Sequence, residues 1–153
     1  MRQKTDPAVA QTPHLMDAYQ LVDGPPSLES YLRLRSEAGL SARREDQAAA
    51  GLKGHWHAVH VVYRPDRCAV GMGRVIGDGG TYFHVIDMAV LPGHQRKGLG
   101  DLILTALLTR IRIFAPAGAY VNLVADPPGR KLYERHGFRT VESGSCAMAT
   151  RLS

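Results

Sequence analysis

The sequence predicts a single α/β domain with a mixed, twisted sheet of six or seven strands and about four flanking helices. Its 153 residues are 44% hydrophobic and 22% charged, a composition typical of one compact domain that buries its own core. Three consecutive runs of strand-like residues, separated by turn residues, lie in the middle of the chain. The periodicity then changes to that of a long helix packed on a sheet, followed by a buried strand and a shorter helix.

The N-terminal third of the chain is predicted to contain one strand and two helices. Residues 1–14 are expected to be extended or frayed, and a short strand follows over residues 18–22. Ser27 can cap a helix that begins after a pair of prolines and ends at Gly39. Residues 41–52, which are rich in alanine and in mixed charges, indicate a second helix.

Turn residues and helix signals divide the rest of the chain. Turns at residues 64–66 and 77–80 separate three strands, which predicts an antiparallel meander. Residues 102–114 are apolar almost all round and indicate a helix packed on a sheet, whereas the next helix begins with proline and ends at Gly137. The predicted strands are 55–63, 68–76, 81–91, 120–124, 138–141 and 146–152, and the last helix covers residues 127–136.

The charge pattern and the metal-ligating residue types exclude several classes of protein. The chain has 19 Lys and Arg against 14 Asp and Glu, a net charge of +5 that favours an anionic ligand. The basic residues are interspersed with acidic ones instead of forming a stripe, so no nucleic acid is expected as a partner. The sequence has no long apolar run and no apolar N-terminal leader, so we expect a cytoplasmic protein that makes no membrane contact. Cys68 and Cys146 form no metal or redox motif, and His55 and His57 share a strand face without a third ligand, so no metal is expected.

A glycine-rich loop between the third strand of the meander and the long helix is the first candidate binding site. The loop reads Gln95-Arg96-Lys97-Gly98-Leu99-Gly100 and opens directly into the helix. A helix N-terminus leaves backbone N–H groups unpaired, glycines let a ligand approach them, and Arg96 and Lys97 add positive charge, so a pyrophosphate would fit. The sequence patterns of P-loop and dinucleotide-binding proteins are both absent. The alternative is that Gly98 and Gly100 only shape a tight turn between strand and helix.

A second motif, Leu132-Tyr133-Glu134-Arg135-His136-Gly137-Phe138, follows that loop after an apolar helix and a strand. Between residues 81 and 140 this arrangement resembles the GNAT superfamily of acetyl-CoA-dependent N-acetyltransferases. The resemblance implies a GNAT-like acyl-CoA N-acyltransferase fold over residues 1–153 as one domain, with acetyl-CoA as the acetyl donor and no metal. It also implies direct acetyl transfer to a primary amine of a small-molecule or peptide acceptor. Related enzymes often form dimers, so the resemblance raises a homodimer as well.

The resemblance assigns roles to individual residues. Two central parallel strands would splay at a bulge, and acetyl-CoA would bind between them. One backbone N–H of the strand would polarise the thioester carbonyl, and Tyr133 would donate a proton or a hydrogen bond to the departing sulfur. Asp126 stands where many members have an asparagine that contacts the cofactor, so no cofactor role is carried onto it. The predicted cofactor-binding residues are Met88, Ala89 and Val90 on the strand and Gln95, Arg96, Lys97, Gly98, Leu99, Gly100 and Asp101 in the loop and the first helical turn.

Acetyl transfer to an amine also needs a route for the amine proton. An amine of pKa about 10.4 is neutral in only about one molecule in 2,500 at pH 7, a deficit of roughly 4.6 kcal/mol. Asp87 is the predicted catalytic base, because a carboxylate in an apolar strand is costly to bury without a partner or a task. The alternative for Asp87 is a structural carboxylate whose hydrogen bonds are satisfied. His84 is the other candidate, but strand alternation puts it on the face opposite Asp87 unless a bulge intervenes, which favours an ordinary strand-edge histidine.

The identity of the acceptor does not follow from the sequence. Tyr31 and Arg35, one turn apart on the first helix, are predicted either to line the acceptor pocket or to lie on the surface. The predicted pocket wall, residues 28–51 together with residues 143–148, carries charges of both signs and several small residues. Two other functions stay open, a catalytically silent acyl-CoA-binding sensor or interaction module and, less favoured, a nucleic-acid-binding protein.

Overall fold

A computed structural model describes residues 14–141 and 145–151 of the chain. The expectation of an extended arm over residues 1–14 lies outside the described residues except for His14. His14 begins a short 3₁₀ turn, Leu15–Ala18, that leads into the first strand. Over these described stretches, no helix has the length and apolar character needed to cross a membrane.

Five strands form one mixed sheet, in which they lie side by side in chain order. The first three strand contacts are antiparallel, and the last two strands are parallel. This confirms the predicted antiparallel meander in the middle of the chain and the mixed character of the sheet. The strands are β1 (Tyr19–Asp23), β2 (His57–Tyr63), β3 (Cys68–Gly77), β4 (Tyr82–Val90) and β5 (Tyr120–Leu123).

Four α-helices flank the sheet, as predicted. They are α1 (Leu28–Glu37), α2 (Glu45–Gly51), α3 (Leu99–Phe114) and α4 (Arg130–Arg135). Ser27 caps α1, since its Oγ accepts a hydrogen bond from the Ser30 N–H at 3.2 Å. Helix α3 begins earlier than the predicted residue 102, because Gly98 adopts a left-handed conformation and turns the chain directly into the helix.

The sheet is covered by helices on both faces. A Cβ atom at Gly73 of β3 would lie 2.6 Å from Ile103 Cγ2, so this side of the sheet is in close contact with α3. The next residue, Arg74, points to the opposite face, where its Nη1 donates to the Gly51 carbonyl at the end of α2 at 2.7 Å. The largest fully buried side chains come from the sheet, α1 and α3 and include Phe83, Leu34, Met72, Leu99 and Ile103.

The prediction of six or seven strands is corrected to five within the described part of the chain. Neither residues 138–141 nor residues 145–151 form a strand. A strand-like composition favours a pleated surface, but the strand forms only against a neighbour with which it exchanges hydrogen bonds. Here a cavity of about 880 Å³ is lined by β5 on one side and by C-terminal residues on the other. The apolar side chains of Val141 and Met148 consequently stay exposed.

Candidate active site

The parallel strands β4 and β5 separate halfway along β4. Their pairing runs from Tyr82 opposite Tyr120 to Val85 opposite Leu123, and β4 then continues to Val90 with no strand of the described residues on that side. Leu91 N–H donates to the Val70 carbonyl of β3, so by alternation the backbone of Val90, like that of Met88, faces the gap. The gap therefore offers the backbone of Met88 and the Val90 N–H to an extended ligand, whereas the Val90 carbonyl already accepts a hydrogen bond from the Gln95 side chain. Ala89, by contrast, directs its backbone towards β3.

A β-bulge interrupts β4 at this opening. The register between β3 and β4 shifts between Met72 and Arg74, so that Asp87 and Met88 together stand opposite Gly73. Asp87 has a φ of 56°, in the left-handed region that non-glycine residues seldom adopt. The bulge turns the Asp87 side chain to the face that carries Arg74, on the α1 and α2 side of the sheet. His84, in register with Ile76, also lies on that face. The two candidate bases therefore share a face, through the bulge that the sequence analysis named as the exception to strand alternation.

Asp87 is held by a buried group of side chains. Arg35 Nη1 forms an ion pair with Oδ1, while Arg74 Nε donates to Oδ2 at 2.7 Å and the Tyr31 hydroxyl donates to Oδ2 at 2.9 Å. Arg35 and Arg74 are only 4% and 5% exposed, so Arg35 is not a surface residue. Burial and the Asp87 charge raise the pKa of Tyr31, which keeps the phenol protonated as a donor. This geometry matches the structural alternative for Asp87 better than the role of a base.

His84 sits where β4 and β5 begin to separate. Its Nδ1 contacts Asn122 Oδ1 on the neighbouring strand, at the position where the two residues are in register. With the amide oxygen as acceptor, Nδ1 carries the proton and Nε2 is left as the basic nitrogen. Nε2 has no hydrogen-bond partner among the described residues. The sequence analysis missed Asn122 as this partner, because the pairing depends on strand register.

The loop before α3 has the open backbone that an anionic group requires. The first hydrogen bond of the helix joins Leu102 N–H to the Gly98 carbonyl, so the amides of residues 99–101 have no partner within the helix. Gly98 has a φ of 82°, and a Cβ built on it would meet nothing within 4 Å. Arg96, with a φ of 58°, is exposed beside these amides. The residues present therefore fit a pyrophosphate, for which the positive end of the helix supplies converging donors.

Two of the predicted loop residues are also anchored from within. Gln95 Nε2 donates to the Val90 carbonyl at 2.9 Å, which fastens the loop to the end of β4. Lys97 Nζ donates to the Gly93 carbonyl at 3.2 Å, and the side chain remains half-buried at the surface. Leu99 is fully buried in the core, so only its backbone is available to a ligand.

The two residues after Leu99 contact α4. A Cβ on Gly100 would lie 3.2 Å from Leu132 Cδ2, so this glycine permits close packing of α3 against α4. The Asp101 carboxylate pairs with Arg135 Nη2 and His136 Nε2, each at 2.9 Å. The hydrogen bond from Arg135 holds the pKa of Asp101 below its usual value. The Asp101 side chain is thus directed to α4, and its backbone N–H alone faces the predicted anion site.

Tyr133 lies on α4 at the edge of the cavity beside β5. Its ring packs against Gly129, where a Cβ would lie 3.0 Å from Cε2, and against the Phe138 ring at a centroid distance of 6.1 Å. The hydroxyl has no hydrogen-bond partner among residues 14–141 and 145–151. Burial, and secondarily the charge of Asp126, raise the pKa of Tyr133 above its ordinary value of 10.0. The phenol is therefore a protonated and available donor.

The histidines of β2 and its flank have separate partners. His55 Nδ1 contacts the Leu52 carbonyl, and His60 Nδ1 contacts the Gly24 carbonyl, at 2.9 and 2.8 Å. His57 Nε2 is 3.7 Å from Asp23 Oδ1. In the portion of the chain that the structure describes, no group of three His, Cys, Asp or Glu side chains is placed to hold a metal ion.

Arg74 is a second site residue, after Asn122, that was not predicted from the sequence. It stands in the apolar strand Cys68–Gly77, where a buried charge demands a partner by the same reasoning that singled out Asp87. The signal that could have identified Arg74 was a pair of opposite charges in two adjacent predicted strands. Register, and with it the bulge, was needed to bring them together.

Comparison with known proteins gives the chain its family. The profile of the acetyltransferase (GNAT) domain family matches residues 55–140. A probable acetyltransferase of unknown function from meticillin-resistant Staphylococcus aureus is 37% identical, with a TM-score of 0.82 over 88% of this chain and 99% of that chain.

More distant solved structures share the fold. A GNAT-family acetyltransferase from Streptococcus pneumoniae is 21% identical, with a TM-score of 0.70 over 88% of this chain and 98% of that one. Glucosamine-6-phosphate N-acetyltransferase from Arabidopsis thaliana is 14% identical, with a TM-score of 0.66 over 88% of this chain and 99% of that one. No protein with a curated description matches the sequence. The family profile and the Staphylococcus aureus relative show that this chain belongs to the GNAT family of acetyltransferases.

Proposed function

We propose that this GNAT protein transfers an acetyl group from acetyl-CoA directly to a primary amine. The observation that carries the proposal is the continuity of two open backbone surfaces. The side of β4 that carries the Met88 backbone and the Val90 N–H leads to the amides at the start of α3 that have no partner within the helix. A molecule with an extended amide-bearing arm and a pyrophosphate has groups for both surfaces.

Different residues of this chain would bind different parts of such a donor. The Met88 backbone and the Val90 N–H would pair with the arm, and one of the two N–H groups would polarise a carbonyl next to it. The amides of residues 99–101 would bind the pyrophosphate, while Arg96 adds positive charge from outside. When bound, acetyl-CoA supplies the activated acetyl thioester.

Tyr133 would assist the leaving group as a hydrogen-bond donor. A tyrosine of pKa about 10 is a weaker acid than a thiol of pKa about 8.5, so full proton transfer to a thiolate is uphill by about 2 kcal/mol. Because burial raises the pKa of Tyr133 further, transfer is less favourable still. A hydrogen bond that strengthens as charge develops on sulfur is the role that this phenol can fill.

His84 is better suited than Asp87 to remove the proton from the amine. Both Asp87 oxygens already accept hydrogen bonds from charged or phenolic donors, and a proton added there would weaken two ion pairs. His84 keeps its Nε2 without a partner among the described residues, on the same face of the sheet. Imidazole is also the side chain most suited to proton transfer near neutral pH. The prediction for Asp87 is kept as the competing one.

Calorimetric titration with acetyl-CoA, followed by thiol release across a panel of amines, tests the proposed function. We expect saturable binding and thiol release with at least one primary amine. His84→Gln should then lower kcat more than His60→Gln, a control histidine on β2 whose Nδ1 contacts a backbone carbonyl. No binding at millimolar acetyl-CoA would remove the basis of the proposal.

A silent acyl-CoA-binding module is the second candidate. The observation in its favour is that Asp87, a carboxylate within the β4 bulge, is paired with two arginines. Saturable acetyl-CoA binding without thiol release across the whole panel would select this function. Release with any amine would exclude it.

A further inference from the structure

We infer that Tyr31, Arg35 and Arg74 form with Asp87 a positioning cluster, called here the Asp87 cluster, that fixes the β4 bulge and thereby the backbone of Met88 and Val90. The inference rests on the proposed function, since it assigns these side chains to the placement of the donor's reactive end. None of the three is a catalytic residue, because each acts on the bulge and not on a reacting atom.

The first observation is that the bulge holds an unfavourable backbone conformation. Asp87 has a φ of 56° and a side chain that is 9% exposed. A non-glycine residue keeps such a conformation only when its surroundings hold it there. Hydrogen bonds and ion pairs from Tyr31, Arg35 and Arg74 occupy both carboxylate oxygens, so they supply that restraint.

The second observation is that each arginine also binds a backbone carbonyl in the α1–α2 region, on the face of the sheet to which Asp87 points. Arg35 Nε and Nη2 donate to the Ser41 carbonyl after α1, at 2.9 and 2.7 Å, and Arg74 Nη1 donates to the Gly51 carbonyl at the end of α2. The Tyr31 ring lies 5.7 Å from the Arg35 guanidinium and 5.5 Å from that of Arg74. One carboxylate, two carbonyls and a ring face thus satisfy two buried cations.

The third observation is that the opposite face of the bulge is also constrained. Gly73 stands opposite Asp87 and Met88, and a Cβ at this position would lie 2.7 Å from Met88 Sδ. Helix α3 closes the same space through Ile103. The bulge is therefore packed by α3 on one face and held by the Asp87 cluster on the other. Releasing the cluster would loosen residues 86–91, while the amides of residues 99–101, which belong to α3, would keep their place.

Tyr31→Phe and Arg74→Gln test the inference. Tyr31→Phe removes one hydroxyl and keeps the buried ring, so it is the variant expected to fold in every case. We expect kcat to fall about tenfold in Arg74→Gln and about threefold in Tyr31→Phe, with the Kd for acetyl-CoA changed by less than about threefold. Arg33→Gln is the matched control, because Arg33 also lies on α1 and donates to a backbone carbonyl, that of Ala69, without contacting Asp87.

A second readout does not depend on turnover. Amide hydrogen exchange of the free protein should accelerate over residues 86–91 in both cluster variants, while exchange within α3 stays unchanged and Arg33→Gln matches the wild type. A general loss of stability would instead accelerate exchange throughout the core. Arg74→Lys, which keeps the charge but not the Nε and Nη1 pair of donors, should recover only part of kcat.

The outcomes separate this inference from the proposed function. Wild-type turnover with kcat within twofold in both variants, or unchanged exchange over residues 86–91, would overturn the positioning cluster and leave the acetyltransferase proposal intact. Absence of turnover in the wild type overturns the proposed function. In that case faster exchange at the bulge in the variants still supports the restraint but removes its catalytic purpose.

Discussion

The two ends of the opening beside β4 differ in whether their polar groups have partners within the protein. At the bulge, Asp87 and two arginines are buried, and each carboxylate oxygen has a partner within the chain. At the start of α3, the amides of residues 99–101 have no partner in the helix, and Arg96 is exposed. Charge alone therefore does not identify a binding site. The region whose donors are left unsatisfied is suited to a ligand, while the satisfied region is suited to holding shape.

The largest effect is expected from removing the charge at the satisfied end. Asp87→Ala leaves two buried guanidinium groups without a carboxylate, so the free energy of unfolding should fall by about 3–5 kcal/mol. Urea denaturation followed by circular dichroism measures this. Asp46→Ala is the control, since Asp46 forms an exposed pair with Arg44 and should leave stability unchanged. If Asp87→Ala lowers the free energy of unfolding no more than the control does, the buried ion pairs do not stabilise the fold.

The next largest effect is expected at the Tyr133 hydroxyl, a donor that has no hydrogen-bond partner among the residues that the structure describes. Tyr133→Phe should lower kcat about 10- to 100-fold while the Kd for acetyl-CoA stays within about twofold, because only the transition-state hydrogen bond is lost. Since the pKa of Tyr133 is raised above 10.0, its deprotonation should cause no fall in kcat below that pH. Steady-state kinetics over pH measures both. Tyr120→Phe, which removes an exposed hydroxyl from β5, is the matched variant, and equal kcat values in the two would dismiss the role.

A smaller effect is expected from the turn that exposes the amides. Gly98→Ala places a Cβ in open space at a φ of 82°, so backbone strain is its only direct consequence. A strain of about 1–2 kcal/mol should weaken acetyl-CoA binding by roughly 5- to 30-fold as the loop relaxes. Gly93→Ala also adds a Cβ to open space, without a positive φ, and should bind normally. Calorimetry that finds equal affinities for both variants would show that the amides at α3 do not contact the ligand.

The smallest effect is expected where the open end meets α4. The Asp101 side chain is 43% exposed, so loss of its pair with Arg135 in Asp101→Asn should cost about 0.2–1 kcal/mol at pH 7. Its pKa is lowered in the folded state, so the stabilisation is present above the ordinary value of 3.8 and disappears as the pH falls below the folded value. Thermal unfolding at pH 7 and towards about pH 2 should show the difference from wild type closing. If the difference in stability between Asp101→Asn and the wild type widened in acid, the pKa of Asp101 would not be lowered in the folded state.

Local sequence patterns predicted most of the region at the start of α3. The loop at Gln95–Gly100, the apolar helix after it and the motif around Tyr133 lie close in the chain, and their spacing predicted both the family and the open helix N-terminus. Asp87 was identified by its cost of burial, but its partners were not. Arg35 on α1 and Arg74 on β3 are 52 and 13 residues away from Asp87 in the sequence. No local periodicity contains that information.

Local sequence was enough to predict the order of the four helices and the five observed strands, the loop before α3 as a candidate anion site and the resemblance to the GNAT superfamily, since each depends on residues that are neighbours in the chain. Tertiary structure alone decided three other features: the bulge at Asp87, the partners of Asp87 and His84, and the absence of strands at residues 138–141 and 145–151. The physical reason is that strand register and side-chain pairing are set by which distant segments pack together. A one-residue bulge reverses the face on which every later side chain lies.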